Sequence, residues 1–217
     1  MKATPTVWLL TPSAVEADVI RATLPQGHEV FWTGVGALAT LQTLWQRFVR
    51  EKPQALHLVV VGIAGSYIPT LAIPSVVYVR EEIWGDLGRR YGRRFVPASE
   101  KLRGGFPLRW KAPASPLPLP QVVGLTLHTV SATRREARYW KRTYPEAEIE
   151  TQEGAAYFAF GEAVGAPVYA FRVLSNYVGH RHWEKDAALA LLATFTAKDV
   201  VPLCERLMDR DSRTNAG

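Results

Sequence analysis

The sequence predicts a single α/β domain in three layers, a mostly parallel sheet held between helices. Three observations lead there. Short apolar runs alternate with segments of helical spacing over nearly the whole chain. The most strand-like run, His57-Leu58-Val59-Val60-Val61, is apolar on both faces, as a central strand covered on each side must be. A length of 217 residues, 47% hydrophobic and 21% charged, fits one sizeable globular domain with a full core.

Val7 to Leu10 forms the first expected strand, broken by Thr11-Pro12-Ser13. Ser13 and Glu16 stand three apart, the spacing of a reciprocal helix cap, and Val15, Val19 and Ala22 mark one side of a helix over 14–24. Glu16 thus sits in the first turn of a helix that directly follows a strand. Capping the helix and serving a site at the strand end are both open to it. Glu29 to Trp32 is extended and ends in Thr33-Gly34-Val35-Gly36, where two glycines permit a tight turn with backbone close to a ligand. The third glycine of a dinucleotide fingerprint is missing. A helix over 38–49 follows, with Leu38, Leu41, Trp45 and Val49 as its apolar stripe.

The central run ends in a second glycine-rich turn, Gly62-Ile63-Ala64-Gly65-Ser66-Tyr67. Val76 to Val79 is a further strand, leading towards Trp84-Gly85-Asp86-Leu87-Gly88. From 89 to 121 the periodicity dissolves. Arginines crowd its start, and Pro113, Pro116, Pro118 and Pro120 forbid a helix near its end. A long surface excursion is expected there, inserted in one domain over 1–209. Val122 to Val130 resumes the sheet, 134–143 reads as a basic amphipathic helix, and 183–208 is the last helical segment. A disordered tail is expected over 210–217.

Composition excludes several functions. Cys204 is the single cysteine, so no internal disulfide forms, a reducing cytoplasmic setting is expected, and burial as a small apolar residue is the plain reading. The start, Met1-Lys2-Ala3-Thr4-Pro5, lacks the features of a signal peptide, and no uninterrupted apolar run is long enough to predict a membrane span. The net charge of +6 comes largely from Arg89 to Arg94 and Arg134 to Arg142. Such clusters suit nucleic acid or an anionic small molecule. Nucleic-acid motifs and zinc spacings are both missing, so no nucleic-acid partner, metal or cofactor is expected.

The stretch from Glu150 to Asn176, ETQEGAAYFAFGEAVGAPVYAFRVLSN, concentrates the chemistry. A short strand ends at Thr151 and Gln152, and Glu153 stands at the strand-to-helix junction. Gly165-Ala166-Pro167 stops the helix, and Val168 to Leu174 is a second strand ending in Ser175-Asn176. One strand end carries a carboxylate and the other a carboxamide. Ligands of open α/β sheets collect at the carboxyl ends of strands.

Five separated pieces, in order, resemble the nucleoside phosphorylase and hydrolase superfamily on its purine nucleosidase side. They are Glu16 after the first strand, Thr33-Gly34-Val35-Gly36, Gly62-Ile63-Ala64-Gly65, Gln152-Glu153-Gly154-Ala155-Ala156 and Arg172-Val173-Leu174-Ser175-Asn176. Within it the chain looks most like the futalosine hydrolases, through Trp84-Gly85-Asp86-Leu87-Gly88 and Ser175-Asn176-Tyr177-Val178. It departs at Gln152, where the family usually has methionine beside the ribose. The resemblance implies a phosphorylase/hydrolase-like fold and cleavage of the N-glycosidic bond of a purine nucleoside. It implies Glu16 as the base that activates water, Glu153 on the ribose hydroxyls and Asn176 on the base. Ala64, Gly65, Val130 and Gln152 would complete the substrate pocket. Relatives form dimers or larger assemblies in which a neighbouring subunit closes the 5′ end, so a homo-oligomer is implied.

The residue types suit that chemistry. Glycosidic cleavage passes through an oxocarbenium-like state, and a donor to the departing base steadies its charge. A phosphorylase needs arginine in its glycine-rich turns. None stands in Val61 to Gly65, nor between Leu10 and Arg21, which favours water. Adenine-specific relatives carry Asp where this chain has Asn176. An amide NH2 donates to both N7 and a 6-oxo oxygen, which favours hypoxanthine, the base of futalosine. Futalosine also carries a carboxylate beyond C5′. Arg181, on the loop after Asn176, is the leading candidate to meet it; the Arg89-Arg90 and Arg93-Arg94 pairs are the others. The reading is therefore futalosine hydrolysis in menaquinone biosynthesis. A methylthioadenosine/S-adenosylhomocysteine-type nucleosidase, a purine nucleoside phosphorylase and a non-enzymatic nucleotide-binding protein are the alternatives.

Overall fold

The computed structural model describes residues 5–92 and 94–213. The opening residues 1–4, Arg93 of the arginine cluster and 214–217 of the expected tail lie outside the described residues. The strands are β1 (Thr6–Thr11), β2 (Phe31–Trp32), β3 (Leu56–Ser66), β4 (Ser75–Trp84), β5 (Gly88–Tyr91), β6 (Arg94–Pro97), β7 (Arg109–Lys111), β8 (Gln121–Thr126), β9 (Ile149–Thr151) and β10 (Val168–Tyr177). The helices are α1 (Ala14–Arg21), α2 (Ala37–Glu51), α3 (Glu100–Arg103), α4 (Arg134–Thr143), α5 (Gly154–Val164), α6 (Lys185–Phe195) and α7 (Val201–Arg213), with one π-helical turn, Thr196–Val200, joining the last two.

The sheet is mixed, with parallel pairings in the majority, as expected, and antiparallel ones among them. β1–β2, β1–β3, β3–β10, β4–β8 and β8–β9 are parallel, whereas β4–β10, β3–β9 and β4–β7 are antiparallel. β3 pairs with both β9 and β10, so the strands β3-β10-β4-β8-β9 close a circuit from which β1 and β2 extend. Apolar alternation marks a strand but not its direction, which closure between distant segments decides. The same closure corrects the second expected turn. Gly62-Ile63-Ala64-Gly65 lies within β3, because β10 pairs along it and β9 meets it at Gly65. These glycines serve close approach. A Cβ on Gly62 would lie 2.9 Å from Pro12 Cδ and 3.0 Å from Glu16 Oε1.

Alternation along the strands divides the core. Trp8, Leu10, Leu58 and Val60 pack with Leu44 of α2 and with Tyr157 and Phe160 of α5. Leu9, Val59 and Val61 pack with Ala17 and Ile20 of α1, Leu189 and Leu192 of α6, and Leu203 and Cys204 of α7. The helices therefore cover both faces. The run Lys185–Asp209 is long and apolar enough in composition to cross a membrane, but over half of its apolar window is buried inside the molecule, against this second core. Cys204 is buried there, and burial pushes its thiol up to about 12.

Local signals explain the ends of the elements. Ser13 and Glu16 form the reciprocal cap that their spacing predicts. Thr133 and Glu136 cap α4 in the same way. Gly165 ends α5 with φ of 70°. α2 departs from its expected stripe. Its fully buried residues are Ala37, Thr40 and Leu44, while Leu38, Trp45 and Val49 stay 77%, 42% and 63% exposed. The Pro/Arg-rich insertion is ordered into a β5–β6 hairpin, the short α3, and β7, which pairs with β4. Its proline segment returns along the sheet, where the Tyr78 hydroxyl donates to Pro113 O at 2.9 Å and Tyr78 N–H to Pro120 O at 2.8 Å. The last helix continues to Arg213, four residues into the expected tail.

Candidate active site

A cavity of about 520 Å³ opens where the carboxyl ends of β3, β9 and β10 meet the start of α1. It brings together all eight residues singled out in the sequence: Glu16, Ala64, Gly65, Val130, Gln152, Glu153, Asn176 and Arg181. Ser131, Glu150, His180 and Trp183 share its wall and were not singled out.

One wall is carboxylate held by main chain. Glu16 Oε1 accepts from Ile63 N–H at 2.7 Å, and Oε2 accepts from Ser13 N–H at 2.9 Å and Ser13 Oγ at 2.5 Å. The cap and the site are therefore one arrangement. Glu16 is buried at the helix start, yet faces the cavity. Glu153, at the entry to α5, accepts from Gly36 N–H at 2.8 Å. The Thr33–Gly36 turn thus brings its backbone to a carboxylate, with φ of 93° at Gly34 and 89° at Gly36. Burial pushes the Glu153 carboxyl upward; the Gly36 N–H and the charge of Arg172 oppose that.

Behind this wall lie two buried ionisable groups. The Arg172 guanidinium is 1% exposed, and its Nε and Nη1 have no hydrogen-bond partner among the described residues. Nη1 and Glu16 Oε1 both flank Gly62, at 3.1 and 3.0 Å from where a Cβ would stand. Glu82 is fully buried on β4. Its Oε1 accepts from Thr126 Oγ1 at 2.8 Å, and Oε2 has no partner among the described residues. Burial pushes its carboxyl up to about 7, against the pull of Thr126 and Arg172. The carboxylate fits because Gly124 and Gly154 lack side chains; a Cβ on either would come within 2.3 and 2.4 Å of it, respectively.

The opposite wall is built from side chains. Ser175 Oγ donates to Asn176 Oδ1 at 3.1 Å, and Asn176 Nδ2 donates to Tyr177 O at 3.2 Å. This orientation leaves the second Nδ2 hydrogen for a ligand acceptor. Glu150 accepts from Ser131 N–H at 2.8 Å, from Ser131 Oγ at 2.6 Å and from the Tyr67 hydroxyl. Gln152 Nε2 donates to His128 O at 3.3 Å, and the Asp86 carboxylate holds the His128 ring and N–H at 2.8 and 2.7 Å. Val130, Arg181 and Trp183 stand exposed at the mouth. Among the described residues no group of His, Cys, Asp and Glu is arranged to hold a metal ion.

Glu150 carried a readable signal, since in a strand it shares a face with Gln152 two residues on. Arg172 carried another, as the one charge within the otherwise apolar run Val168 to Leu174. Trp183 had none, because its position depends on how the loop after β10 folds back.

No family model matches the sequence. The chain is 30% identical over 218 residues to the futalosine hydrolase of Thermus thermophilus, covering 86% of this chain and 92% of that one. It is 29% identical to the futalosine hydrolase of Streptomyces coelicolor, covering 84% and 82%. Among solved structures, the 5′-methylthioadenosine/S-adenosylhomocysteine nucleosidase of Colwellia psychrerythraea, in complex with adenine, superposes with a TM-score of 0.74 at 14% identity, over 95% of this chain and 96% of that one. The Campylobacter jejuni enzyme of the same name gives 0.73 at 16% identity, over 92% and 98%. These structural likenesses show a shared fold.

Proposed function

The chain belongs to the futalosine hydrolase family, and from that membership we propose that it hydrolyses futalosine to hypoxanthine and dehypoxanthine futalosine, as a cytoplasmic step of menaquinone biosynthesis. Its class of reaction is N-glycosyl hydrolysis. The observation that carries water as the nucleophile is the charge of the cavity. Glu16, Glu150 and Glu153 line it against one guanidinium, Arg181, a balance hostile to a phosphate dianion.

Each residue has a role that its geometry allows. Glu153 accepts from the ribose hydroxyls with the lone pairs that Gly36 leaves open. Glu16 takes a proton from water on the face of the sugar opposite the leaving base. As the glycosidic bond breaks, the sugar becomes oxocarbenium-like and the bonding electrons pass to the base. The remaining Nδ2 hydrogen of Asn176 donates between N7 and the 6-oxo oxygen, where that charge gathers. Ala64, Gly65 and Val130 flank the base, Gln152 closes on the sugar, and Arg181 at the mouth meets the carboxylate beyond C5′.

The homo-oligomeric part of this reading rests on α2. Its exposed apolar residues Leu38, Trp45 and Val49 continue from Val35, which lines the cavity. A second copy seated there would bury them and narrow the 5′ end of the pocket. The test is a panel of futalosine, inosine, methylthioadenosine and adenosine, with and without phosphate, read by release of free base. Futalosine is expected to release hypoxanthine at a phosphate-independent rate. Phosphate-dependent release, or faster turnover of methylthioadenosine, would overturn the reading.

A further inference from the structure

Glu150 has no role in the scheme above, yet its carboxylate forms part of the cavity wall. Asn176 of β10 pairs with Gly65 of β3, and Gly65 pairs with Glu150 of β9. The three residues therefore form one row across adjacent strands, and paired residues project to the same face. At roughly 4.8 Å per strand step, the row spans about 10 Å between its outer Cα atoms. The middle position has no side chain, and a Cβ there would stand 2.9 Å from Val178 and 3.4 Å from the Asn176 amide. What remains is a slot with a carboxamide at one end and a carboxylate at the other.

The Glu150 carboxylate is buried, and its hydrogen bonds can be counted. Oε2 accepts from Ser131 Oγ and from the Tyr67 hydroxyl, which fills it. Oε1 accepts only from Ser131 N–H among the described residues, so one lone pair stays open. A ligand atom placed against it must be a donor. A 6-oxopurine carries N–H at N1, beside the oxygen that Asn176 would meet; adenine carries an unprotonated acceptor at N1.

We infer that Glu150 reads the purine: its open lone pair accepts the N1 hydrogen of a 6-oxopurine, so the site selects hypoxanthine over adenine from both ends of the slot. The inference rests on the hydrolase reading for its ligand class and deepens it with a residue acting at the far edge of the base. It also discriminates among oxopurines. Guanine adds an amino group beside N1, and the filled Oε2 offers that second donor no lone pair. Removing the carboxylate would do more than delete a contact. It would free Ser131 N–H to face the cavity, and a free N–H suits the N1 acceptor of adenine.

The test measures equilibrium binding of free hypoxanthine and free adenine by titration calorimetry, beside kcat/KM for inosine and adenosine. In Glu150→Ala, the ratio of hypoxanthine to adenine affinity is expected to fall about 10- to 100-fold, the range for a lost hydrogen bond to a charged group. Glu150→Gln can turn its NH2 towards the two hydroxyls, which can accept, and keep its oxygen towards the base. It should fold as the parent does, and its ratio should fall several-fold without reversing. A purely structural Glu150 would weaken both bases alike in both variants; unchanged ratios would overturn the inference. Because binding is read separately from cleavage, a chain that prefers hypoxanthine through Glu150 yet hydrolyses no nucleoside would refute the hydrolase reading and leave this one standing.

Discussion

The two walls of the cavity are held by different means. On the Glu16–Glu153 wall, each carboxylate takes a positioning hydrogen bond from main chain, Ile63 N–H for one and Gly36 N–H for the other. On the Glu150–Asn176 wall, hydroxyls of Ser131, Tyr67 and Ser175 do most of the holding. Main-chain donors survive substitution of their own side chains, whereas hydroxyls are lost with a single change. Under the proposed roles, the difference teaches that the bond-breaking geometry is built into the fold, while the choice of base is set by exchangeable side chains.

The sharpest way to break this contrast is Glu16→Gln. It removes the proposed base but keeps its shape, so kcat should fall by ~100-fold or more with KM changed only a few-fold. Single-turnover release of hypoxanthine checks it, and a variant keeping a tenth of the parent rate would remove Glu16 from the chemistry.

The second test lies beneath the same wall. The Glu82 carboxyl, raised from 4.5 to about 7 in the folded protein, keeps its proton there while the unfolded chain loses it. The associated stability is present in full below about pH 4.5 and is lost as pH rises through about 7, by at most roughly 3 kcal/mol. Glu82→Gln should flatten that slope in urea unfolding between pH 4.5 and 8. An unchanged slope would show that Glu82 ionises freely.

Gly62→Ala sharpens the contrast through backbone alone. The new methyl presses on Pro12 and on Glu16 Oε1, so kcat should fall on the order of tenfold with every nucleoside alike. On the other wall, Asn176→Asp should change selectivity, lowering 6-oxopurine turnover relative to 6-aminopurine by about tenfold. Equal losses on both classes would place base discrimination elsewhere. The smallest effect belongs to the mouth. Arg181→Lys loses the paired hydrogen bonds of a guanidinium, and KM for futalosine should rise a few-fold while that for inosine stays. A matching rise for both would mean that Arg181 supports only the loop.

The same division explains what could be read from the chain. Local rules are carried by local residues, so the Ser13–Glu16 cap and the helix at Arg134–Thr143 follow directly from sequence. Of the eight proposed site residues, Ala64, Gly65, Gln152, Glu153 and Asn176 lie within two residues of a strand end, Glu16 is in the first turn of α1, Val130 and Arg181 are on loops, and the structure gathers all of them in one cavity. Closure of the sheet was not legible. Gly62 to Gly65 has the composition of a turn, and only pairing with β10 and β9 makes it a strand. The buried face of α2 was equally hidden, since its outer residues are as apolar as its inner ones. Glu82 gave no sign either, because the two glycines that admit it lie 42 and 72 positions away (124 − 82 and 154 − 82).

Those two glycines bear on how such a chain can change over time. While position 82 carries glutamate, neither Gly124 nor Gly154 can gain a side chain without striking its carboxylate. The order of substitutions is therefore constrained. Shortening residue 82 first removes the nearest atoms that a Cβ at 124 or at 154 would meet. A lineage with a small residue at 82 loses that obstacle at both glycines, whereas one that fills either glycine first meets the same clash on the way back to glutamate. Three positions far apart in the chain should consequently vary as a unit among descendants of this protein. A double-mutant cycle pairing Glu82→Ala with Gly124→Ala would show the coupling as a glycine replacement that is harmful alone and tolerated in company.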